Sequence, residues 1–407
     1  MRCNGSGLSR WHPHVIIVAA LSHSAHAQCA YEIVAILDLP PCGIFQPVLY
    51  PMSINNNGEV VGSFGLCEIG EDRPFYWSEE TGLVLPSLPS GYLGAAFVDI
   101  NDQGQITGHR VVAGSSIGHE AILYEDGQWT GLGTLPGGNW SDGVAINNSG
   151  VIVGFWDIPL TAPVQAFVWT DGTMSGLGTL LGGGQSAARG ISESGVIVGS
   201  IGPSLPGLQS GFILEGEKVT IVEAFPGTTT ARVIAMNQAG LAIVNCATAG
   251  EWTGYQGFVV DGDSWQYVSP IPPGAGVATT AINACGTVLG INYSTDFSQV
   301  VTFSQGEVRV VEDMILAEQR YQLYFASAIN DAGWIAAAAQ IGQTFMTLVL
   351  RPAPQKLGDL NEDCEVDATD LALLIERWGQ ADDRADLDGD GIVAGADLGM
   401  LLGKWGT

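Results

Sequence analysis

Positive charge is scarce in this sequence. Lys and Arg make up only 14 of its 407 residues, whereas Asp and Glu make up 42, and the formal net charge is −28 at pH 7. So acidic a surface repels phosphate backbones and anionic headgroups, which argues against nucleic acid or an acidic membrane as a partner. The same charge favours solubility and the binding of cations.

Histidines and long apolar segments are scarce as well. Of six histidines, only His109 and His119 lie beyond the first 27 residues. Two histidines argue against a histidine-based zinc site and against a Ser-His-Asp arrangement. No apolar run approaches the roughly 20 residues that a membrane-spanning helix needs, so we predict no membrane span.

One motif of hydrolases does occur, the G-x-S-x-G run at 114–118 with Ser116 at its centre. We predict that it is a loop between two strands, because the chemistry requires a turn from a strand into a helix. We therefore assign no catalytic residue, and the sequence favours a protein that is not an enzyme. A glycosidase needs only two carboxylates, so that activity stays open.

The N-terminus has the order of features of a secretory signal. Arg2 and Arg10 precede a short apolar run at 15–21, and residues 25–27 have the A-x-A pattern of a cleavage site. We predict that residues 1–27 are removed and that the chain is secreted, to the extracellular space or the cell surface. Cleavage would change the formal charge from −28 to −30, because it removes two Arg and no acid.

Six cysteines remain after this cleavage, an even number that permits disulfides in an oxidising compartment. Six cysteines allow 15 pairings, and the sequence does not choose among them. Our first guesses, from proximity along the chain, are Cys29 with Cys42 and Cys246 with Cys285. The full set is Cys29, Cys42, Cys67, Cys246, Cys285 and Cys364.

A ten-residue pattern recurs seven times along the chain. Copies such as SINNNGEVVG, DINDQGQITG and AINNSGVIVG place a polar residue at the third position. Consecutive third positions are separated by 46, 46, 45, 45, 46 and 47 residues, a regularity that indicates a repeat architecture. These positions are Asn55, Asn101, Asn147, Ser192, Asn237, Asn283 and Asn330.

Each copy has the pattern of a β-hairpin. Apolar residues flank an N-x-x-G turn in which glycines such as Gly58, Gly104 and Gly150 can take a positive φ while the Asn side chain caps the turn. A strand of the type QAFVW follows about 20 residues later, and then an element of the type GLGTLPGG. Four short strands in about 46 residues are the unit of a β-propeller blade.

The ends of the array predict a closed ring. A GLGTL-type strand at 33–43 precedes the first hairpin, and the last repeat ends without one. The extra first strand would therefore complete the last blade and remove exposed sheet edges. We predict an all-β fold, a seven-bladed β-propeller over residues 28–351. The alternatives are an open β-solenoid and a ring of eight blades.

The combination of IN-x-x-G-x-V-x-G, an F-x-W strand and GLGTLPGG resembles the HAF-type extracellular repeat of secreted bacterial proteins. The resemblance covers about four fifths of the mature chain, and it loosens in repeats five to seven, where Val244 and Ala337 replace a glycine. It implies a propeller-like fold and an extracellular location, and it implies no particular activity.

The composition changes after a linker at 352–356. From Lys356 to Thr407 the chain holds 13 acidic and four basic residues, and two half-repeats lie 27 residues apart. Each half is a 12-residue acidic loop followed by an amphipathic helix that ends in Trp-Gly, which predicts a small helical domain over 357–407. Such a loop offers oxygen ligands from positions 1, 3, 5, 7, 9 and 12, the set that Ca²⁺ prefers.

We predict two Ca²⁺ sites in this tail. In the first loop the ligands are Asp359, Asn361, Asp363, the Glu365 carbonyl, Asp367 and Asp370. In the second loop they are Asp386, Asp388, Asp390, the Ile392 carbonyl and Asp397. The first site should be the weaker, because Cys364 stands where the second loop has Gly391 at its sharp turn. Val366 and Val393, both at position 8, are expected to pair the two loops in a small sheet.

The tail resembles a type I dockerin, a domain of two calcium loops with their helices that docks onto a cohesin. It departs from that pattern at loop positions 10 and 11, which are Ala368-Thr369 and Gly395-Ala396. The resemblance implies Ca²⁺ and a cohesin-like protein or cell-surface component as partner, and the departure leaves the partner's identity open.

Two functions are compatible with these features. The first is a non-catalytic binding or structural propeller that the tail anchors or recruits. The alternative is a carbohydrate-active protein, a glycoside hydrolase or glycan binder in a polysaccharide-degrading assembly. Aromatic residues in loops could stack on sugars, although packing at blade edges explains each one taken singly. They are Tyr92, Trp140, Trp156 and Trp252.

Overall fold

The computed structural model describes most of the chain beyond its N-terminus. The described residues are 9–11, 30–39, 47–65, 72–113, 118–158, 162–178, 180–182, 184–202, 209–248, 254–270, 275–293, 298–353, 357–360, 366–382 and 384–406. Within these ranges the chain forms 29 β-strands, one short 3-10 helix and two α-helices.

The first fifteen strands run from the N-terminus into the fourth blade. They are β1 (Ser9–Trp11), β2 (Tyr31–Leu37), β3 (Leu49–Ile54), β4 (Val60–Gly65), β5 (Asp72–Ser78), β6 (Gly82–Val84), β7 (Tyr92–Ile100), β8 (Ile106–Val112), β9 (His119–Glu125), β10 (Gln128–Gly133), β11 (Ser141–Ile146), β12 (Ile152–Ile158), β13 (Ala162–Thr170), β14 (Thr173–Gly176) and β15 (Gln185–Ile191).

The remaining elements complete the ring and form the tail. They are β16 (Ile197–Gly202), β17 (Ser210–Glu215), β18 (Lys218–Val222), β19 (Thr230–Met236), β20 (Ala242–Ala247), β21 (Gln256–Asp261), β22 (Ser264–Tyr267), β23 (Gly276–Ile282), β24 (Val288–Tyr293), β25 (Ser298–Ser304), β26 (Glu307–Val310), the 3-10 helix Val311–Met314, β27 (Gln322–Ile329), β28 (Ile335–Ile341), β29 (Thr344–Pro352), α1 (Ala368–Glu376) and α2 (Gly395–Leu402).

The strands form seven antiparallel sheets, which are the seven predicted blades. Blades 1 to 6 are β3–β6, β7–β10, β11–β14, β15–β18, β19–β22 and β23–β26, in each case ordered along the chain. Blade 7 has the order β2-β29-β28-β27, and β1 adds a parallel edge strand to β18 of blade 4. The prediction of a seven-bladed β-propeller is confirmed, and the alternatives of a solenoid and eight blades are wrong.

Blade 7 closes the ring as the ends of the array predicted. Strand β2 pairs antiparallel with β29, from Tyr31 opposite Pro352 to Leu37 opposite Thr347. Beyond the strand, the backbone N–H of Ala353 donates to the carbonyl of Ala30 at 2.9 Å. The first strand therefore ties the last blade to the start of the chain, and one sheet holds both ends of the ring.

The hairpin turns have the predicted geometry. Gly58, Gly104 and Gly150 have φ of 79°, 77° and 74°, and their N–H groups donate to the carbonyl of the turn Asn. The Asn55 side-chain oxygen accepts from the backbone N–H groups of Asn57 and Glu59, at 3.1 and 2.9 Å. A left-handed residue at the turn's fourth position suits Gly and would strain other residues.

All seven innermost strands carry a β-bulge at the same place, three residues before the turn residue. A bulge inserts one extra residue into a strand, so that its side chain departs from the alternation between the two faces of the sheet. Each bulged residue here lines the central channel, so seven bulges supply one layer of its wall. The seven are Met52, Val98, Val144, Arg189, Ile234, Thr280 and Ser327.

In blades 1, 3 and 4 the last glycine of the repeat motif pairs with a Phe residue. Gly62 pairs with Phe75, and a Cβ on Gly62 would overlap the Tyr50 carbonyl and approach the Phe75 ring to 2.7 Å. Phe75 itself is fully buried. In blade 7 this glycine is Ala337, which pairs with Leu348 instead of a ring.

The guess that Cys246 pairs with Cys285 is wrong. Cys246 is buried in β20 against Phe258 and Trp265, whereas Cys285 is exposed in a hairpin turn, and both are free. They lie on adjacent blades but near opposite ends of their strands. Burial raises the pKa of the Cys246 thiol to about 11, so this thiol is unreactive at neutral pH. Cys29 and Cys42 lie outside the described residues.

The tail packs its two half-repeats around one small core. Equivalent residues of the two halves meet there, among them Val366 with Val393 and Leu374 with Leu401. No helix among the described residues has the length and apolar character that crossing a membrane requires.

The predicted pairing of the two position-8 valines is wrong. The Val393 carbonyl accepts from the N–H of Gly379, and the Val366 carbonyl accepts from that of Gly406. Each loop is therefore tied to the Trp-Gly segment of the other half, because the helices bring those segments alongside the opposite loop.

Candidate functional sites

The second calcium loop brings three of its predicted ligands together. Carboxylate oxygens of Asp386, Asp388 and Asp390 lie within 4.8 Å of one another. The chain wraps around Asp386, whose carboxylate accepts from the backbone N–H groups of Gly389 and Gly391 at 2.9 and 2.7 Å. The loop is therefore already curved around the position that a cation would occupy.

Asp397 fastens this loop to the helix that follows it. Its side chain is buried and accepts from the N–H groups of Leu387 at 2.6 Å, Asp388 at 3.1 Å and Ala394 at 2.7 Å. These backbone bonds, that from Ala394 foremost, lower the pKa of Asp397 despite its desolvation. A carboxylate with a lowered pKa at position 12 suits a metal ligand.

The charges of this loop crowd one another. The Asp390 N–H lowers the pKa of Asp388, yet desolvation and the carboxylates of Asp390, Asp397 and Asp386 raise it overall. Like charges held this close favour a cation that neutralises them. A donor set of carboxylate oxygens fits the hard ion Ca²⁺, so the residues present fit the predicted metal.

The described part of the first loop follows the same plan. Asp370 is buried and accepts from the N–H groups of Leu360 and Asp367 at 2.7 and 2.8 Å, as Asp397 does in the second loop. Asp359 is buried as well. Asp367 accepts from the Thr369 N–H at 2.7 Å and caps α1, a role that the sequence did not suggest. Its metal-ligand role stays a prediction.

The rest of the first loop lies outside the described residues. These are Asn361, Asp363, Cys364 and Glu365, so their ligand and turn roles stay predictions. In the second loop the Ile392 side chain is exposed, and the ligand role of its carbonyl also stays a prediction. Gly391 has φ of 96° and Gly389 has φ of 76°. The first loop has Glu362 and Cys364 at these two places, so it lacks both glycines.

The tail exposes apolar residues in a duplicated arrangement. Ile375 and Leu402 are 56% and 50% exposed, and Trp378 and Trp405 are 46% and 44% exposed. Each pair is 27 residues apart, the spacing of the half-repeat. The sequence had placed each Trp at the end of an amphipathic helix. Their exposure leaves two similar apolar patches on the surface of the tail.

A chain of hydrogen bonds runs round the propeller through the turn residues. Asn55 Nδ2 donates to the Asn101 carbonyl at 2.9 Å, and Asn330 Nδ2 donates to the Asn55 carbonyl at 2.9 Å, which closes the circle. Asn101, Asn147, Asn237 and Asn283 make the same bond to the next blade. The repeat spacing predicted the turns but not these bonds between blades.

One link of this circle is missing. Ser192 stands at the turn position of blade 4, and its shorter side chain bonds Ser194 at 2.9 Å and the Val196 N–H at 3.0 Å. Between Ser192 and Asn237, the described residues form no bond of the kind that joins the other blades. Six Asn side chains therefore join neighbouring blades, and blades 4 and 5 are joined elsewhere, where the Ala231 N–H donates to the Gln209 carbonyl at 2.8 Å.

The channel has a second polar ring at its mouth. The Asn56 N–H donates to Asp102 and the Asp331 N–H donates to Asn56, at 2.8 and 2.9 Å. Asn148 continues the ring to Glu193, with 2.9 Å between its N–H and the carboxylate. These bonds link neighbouring blades directly, so the acidic residues at the mouth are already engaged with the backbone.

The channel beneath this mouth has a volume of about 440 Å³. Asp99 lines it, accepts from the Ser53 hydroxyl at 2.6 Å and accepts from the Ile146 N–H at 2.8 Å. Burial raises the pKa of Asp99 to about 6, against the lowering effect of these two bonds. Arg189 is the basic residue of the channel wall, and desolvation, with the nearby charge of Arg232, lowers its pKa.

The loop aromatics are mostly used in packing. The Arg110 guanidinium lies 4.2 Å from the centre of the Tyr92 ring, and Trp140 packs edge-on against Phe155 at 5.7 Å. Trp156 is buried, and Trp252 lies outside the described residues. The G-x-S-x-G run falls between β8 and β9, as predicted, although Ser116 itself lies outside the described residues.

Comparison with known proteins identifies the tail directly. The family model of the dockerin type I domain matches residues 357–403. This match and the two loop–helix halves show that the C-terminal region is a dockerin. Dockerin type I domains bind cohesins and typically bind calcium. The name of the HAF-type repeat stays a prediction. No curated protein matches the sequence.

Solved structures resemble the propeller in fold alone. A structure from a study of two prolyl endopeptidases superposes with a TM-score of 0.52 at 13% identity, over 78% of this chain and 48% of that one. The β-propeller domain of the Trilobed protease from Pyrococcus furiosus gives 0.49 at 10%, over 76% and 97%. Trypanosoma rangeli sialidase with sialic acid gives 0.38 at 10%, over 88% and 62%. At these identities no activity carries over.

Proposed function

We propose that this protein is a secreted propeller that a calcium-loaded dockerin attaches to a cohesin-bearing protein outside the cell. The observation that carries the proposal is the dockerin match at 357–403 on a chain whose other described residues form a closed ring. The ring acts as a binding or structural module in this proposal, and the tail determines where the ring is held.

The two exposed apolar patches of the tail are the surface that we assign to the partner. Ile375 and Trp378 form the first patch, and Leu402 and Trp405 form the second. Exposed aromatic side chains bury much apolar area when a partner covers them, and Trp is enriched among the residues that dominate binding energy. Because α1 and α2 are related by the repeat, the tail presents two similar patches in place of one.

A binding assay with immobilised cohesins tests this proposal. We expect the full chain to bind at least one cohesin of a diverse panel in calcium, and to dissociate when a chelator removes it. Trp405→Ala and Trp378→Ala should each weaken binding, with the double variant losing it. Tyr267→Ala, at an exposed aromatic of the propeller, is the matched control and should bind unchanged. Binding to no cohesin of the panel would contradict the proposal.

The alternative, a carbohydrate-active propeller, makes a different prediction. Tyr92 and Trp140 are partly exposed, and the Arg110 guanidinium that lies over the Tyr92 ring is paired with the Glu120 carboxylate, so an aromatic and an acidic group that sugars can use share one cation. A glycan array on the full chain, followed by a reducing-sugar assay on any glycan retained, tests it. Glycan retention that is abolished by Tyr92→Ala and by Trp140→Ala would support this function. If no glycan is retained and none is hydrolysed, the alternative is ruled out.

A further inference from the structure

The two histidines beyond residue 27 meet at one place in the propeller. His109 lies on β8, His119 begins β9, and Asp142 lies near the start of β11 in the next blade. All three are at the face of the ring opposite the N-x-x-G turns. His109 and His119 are 10 residues apart, and Asp142 follows 23 residues later. From the sequence, the small number of histidines argued against a zinc site, and the closeness of these three residues in space could not be predicted.

Their possible ligand atoms converge. His109 Nδ1 is 3.1 Å from Asp142 Oδ1, and His119 Nδ1 is 3.4 Å from the same oxygen. The two imidazole rings are stacked, with centroids 4.3 Å apart and planes at 10°. One ligand atom from each of the three residues lies within 4.8 Å of the other two.

These separations are those between ligands of one metal ion. Zinc–nitrogen and zinc–oxygen bonds of about 2.0–2.2 Å at tetrahedral angles place neighbouring ligand atoms about 3.3–3.5 Å apart. The two imidazole-to-carboxylate distances are close to this range without any movement of the chain. Because the two rings are stacked, at least one imidazole would have to rotate out of the stack so that the ion lies in the plane of each ring.

The Asp142 carboxylate also lacks another partner. Its Oδ1 atom is buried and accepts no well-formed hydrogen bond from the described residues, so the two imidazoles approach it without the angle that such a bond needs. The nearest basic side chain in sequence, Arg110, is committed to Glu120 at 2.7 Å. A buried carboxylate oxygen without a donor is costly, and a cation would satisfy it.

We propose that His109, His119 and Asp142 bind a divalent transition-metal ion, with zinc as the first candidate. Two imidazole nitrogens and one carboxylate oxygen suit zinc and its neighbours in the first transition series, whereas Ca²⁺ prefers oxygen ligands only. The site is thus chemically distinct from the loops of the tail. Three protein ligands leave a coordination position open, and the 42% exposed His119 side chain faces solvent. Water or an anionic group of a ligand would fill that position.

Metal titration of the full chain in saturating calcium tests this site. Calcium occupies the tail, so zinc measured by calorimetry, and cobalt measured by its visible absorption, report the propeller site. We expect one ion per chain. His119→Gln and Asp142→Asn should each lower the affinity by at least about 100-fold, because each removes one of three ligands. Asp388→Asn in the tail should leave zinc binding unchanged, and His119→Gln should leave calcium binding unchanged.

Two controls separate loss of a metal ligand from binding at a thiol and from misfolding. Cys285→Ser removes the exposed thiol and should change neither affinity nor the cobalt spectrum. Thermal melts without added metal should show that His119→Gln is folded, and His109→Gln serves as a second variant if it is not. Equal zinc affinity in wild type, His119→Gln and His109→Gln would overturn the proposal. So would displacement of the bound zinc by excess calcium, or the absence of zinc binding.

Discussion

The propeller and the tail are both built by repetition, and in each a single copy departs from the pattern. The ring has seven turn positions, of which Ser192 alone is not Asn. The tail has two calcium loops, of which one has Cys364 where the other has Gly391. The ring loses one hydrogen bond of seven and still closes. The tail has only two loops, so a weakened copy would affect half of its predicted calcium sites.

The interactions that stabilise the fold also differ between the propeller and the tail. The blades pack buried aromatic and aliphatic side chains, Phe75 and Phe167 among them, and need no ion to explain their folding. The tail has a small core and concentrates carboxylates in its loops. Metal binding and folding are coupled when the ligands repel one another without the ion. We therefore expect redundancy in the ring and a dependence on calcium in the tail.

The largest expected effect is the loss of one calcium loop. Asp386→Asn removes the carboxylate around which the second loop is wrapped, so calcium affinity at that loop should fall by about 100-fold. The matched change in the first loop is Asp359→Asn, which should remove the weaker site and spare the stronger. Calcium titration calorimetry distinguishes the two, and equal losses at both loops would show that the halves do not differ.

Removing one of the Asn hydrogen bonds between blades should have a smaller effect than losing a calcium loop. Asn101→Ala removes a donor to the Asn147 carbonyl and the acceptor of two turn N–H groups, at a cost of about 2–3 kcal/mol in the free energy of unfolding. Ser192→Ala removes the acceptor of the Val196 N–H and the bond to the Ser194 hydroxyl, both within one turn, and should cost about 1 kcal/mol. Urea unfolding of the two variants checks this order, and similar losses would mean that the bonds between blades contribute nothing.

Asp99 should make the ring less stable as pH rises. An unfolded Asp has a pKa near 3.9, whereas burial raises that of Asp99 to about 6. Between these values the folded state binds more protons, so its free energy of unfolding falls as pH rises from about 4 to about 6. The fall should be about 2 kcal/mol, since partial exposure reduces the effect of the full shift.

The variant Asp99→Ala isolates this contribution, because Ala145 and Ala235 occupy the same repeat position. The difference between the urea-unfolding curves of wild type and Asp99→Ala should change with pH over that window and be flat above it. A difference independent of pH from 4 to 7 would show that Asp99 titrates as an exposed carboxyl does.

The smallest effect should come from the cysteine of the first loop. Cys364→Gly would relieve the left-handed conformation that the sequence predicts at this position, which costs about 1–2 kcal/mol, and so should raise calcium affinity about 5- to 30-fold. The reciprocal change Gly391→Cys should weaken the second loop by a similar factor, because Gly391 has φ of 96°. Glu362→Gly tests the other position where only the second loop has glycine. No gain from Cys364→Gly would mean that the first loop turns differently.

The repeat could be predicted from the sequence because equivalent turn residues recur at regular intervals. Regular intervals between turn residues predicted the blades, and the extra strand at the N-terminus predicted the pairing of β2 with β29. The same spacing predicted the two loops of the tail. These features depend on residues close in sequence, or on the order of elements, and both can be read along a chain.

Contacts between elements far apart in sequence were not predictable in this way. Asn55 reaches the Asn101 carbonyl across a blade boundary, which its turn role alone did not indicate. Cys246 and Cys285 lie on neighbouring blades, yet at different ends of their strands, so proximity in sequence was misleading. The convergence of His109 and His119 on Asp142 likewise depends on how two blades face each other.

Scanning calorimetry of the full chain with and without calcium tests the central claim most directly, that a calcium-independent ring is joined to a calcium-dependent dockerin. We predict two thermal transitions. When a chelator removes calcium, only the smaller transition should change, either by shifting to lower temperature or by disappearing. Asp386→Asn should reproduce that shift with calcium present. A single transition that is unchanged by the chelator, or one in which the ring melts with the tail, would contradict the account.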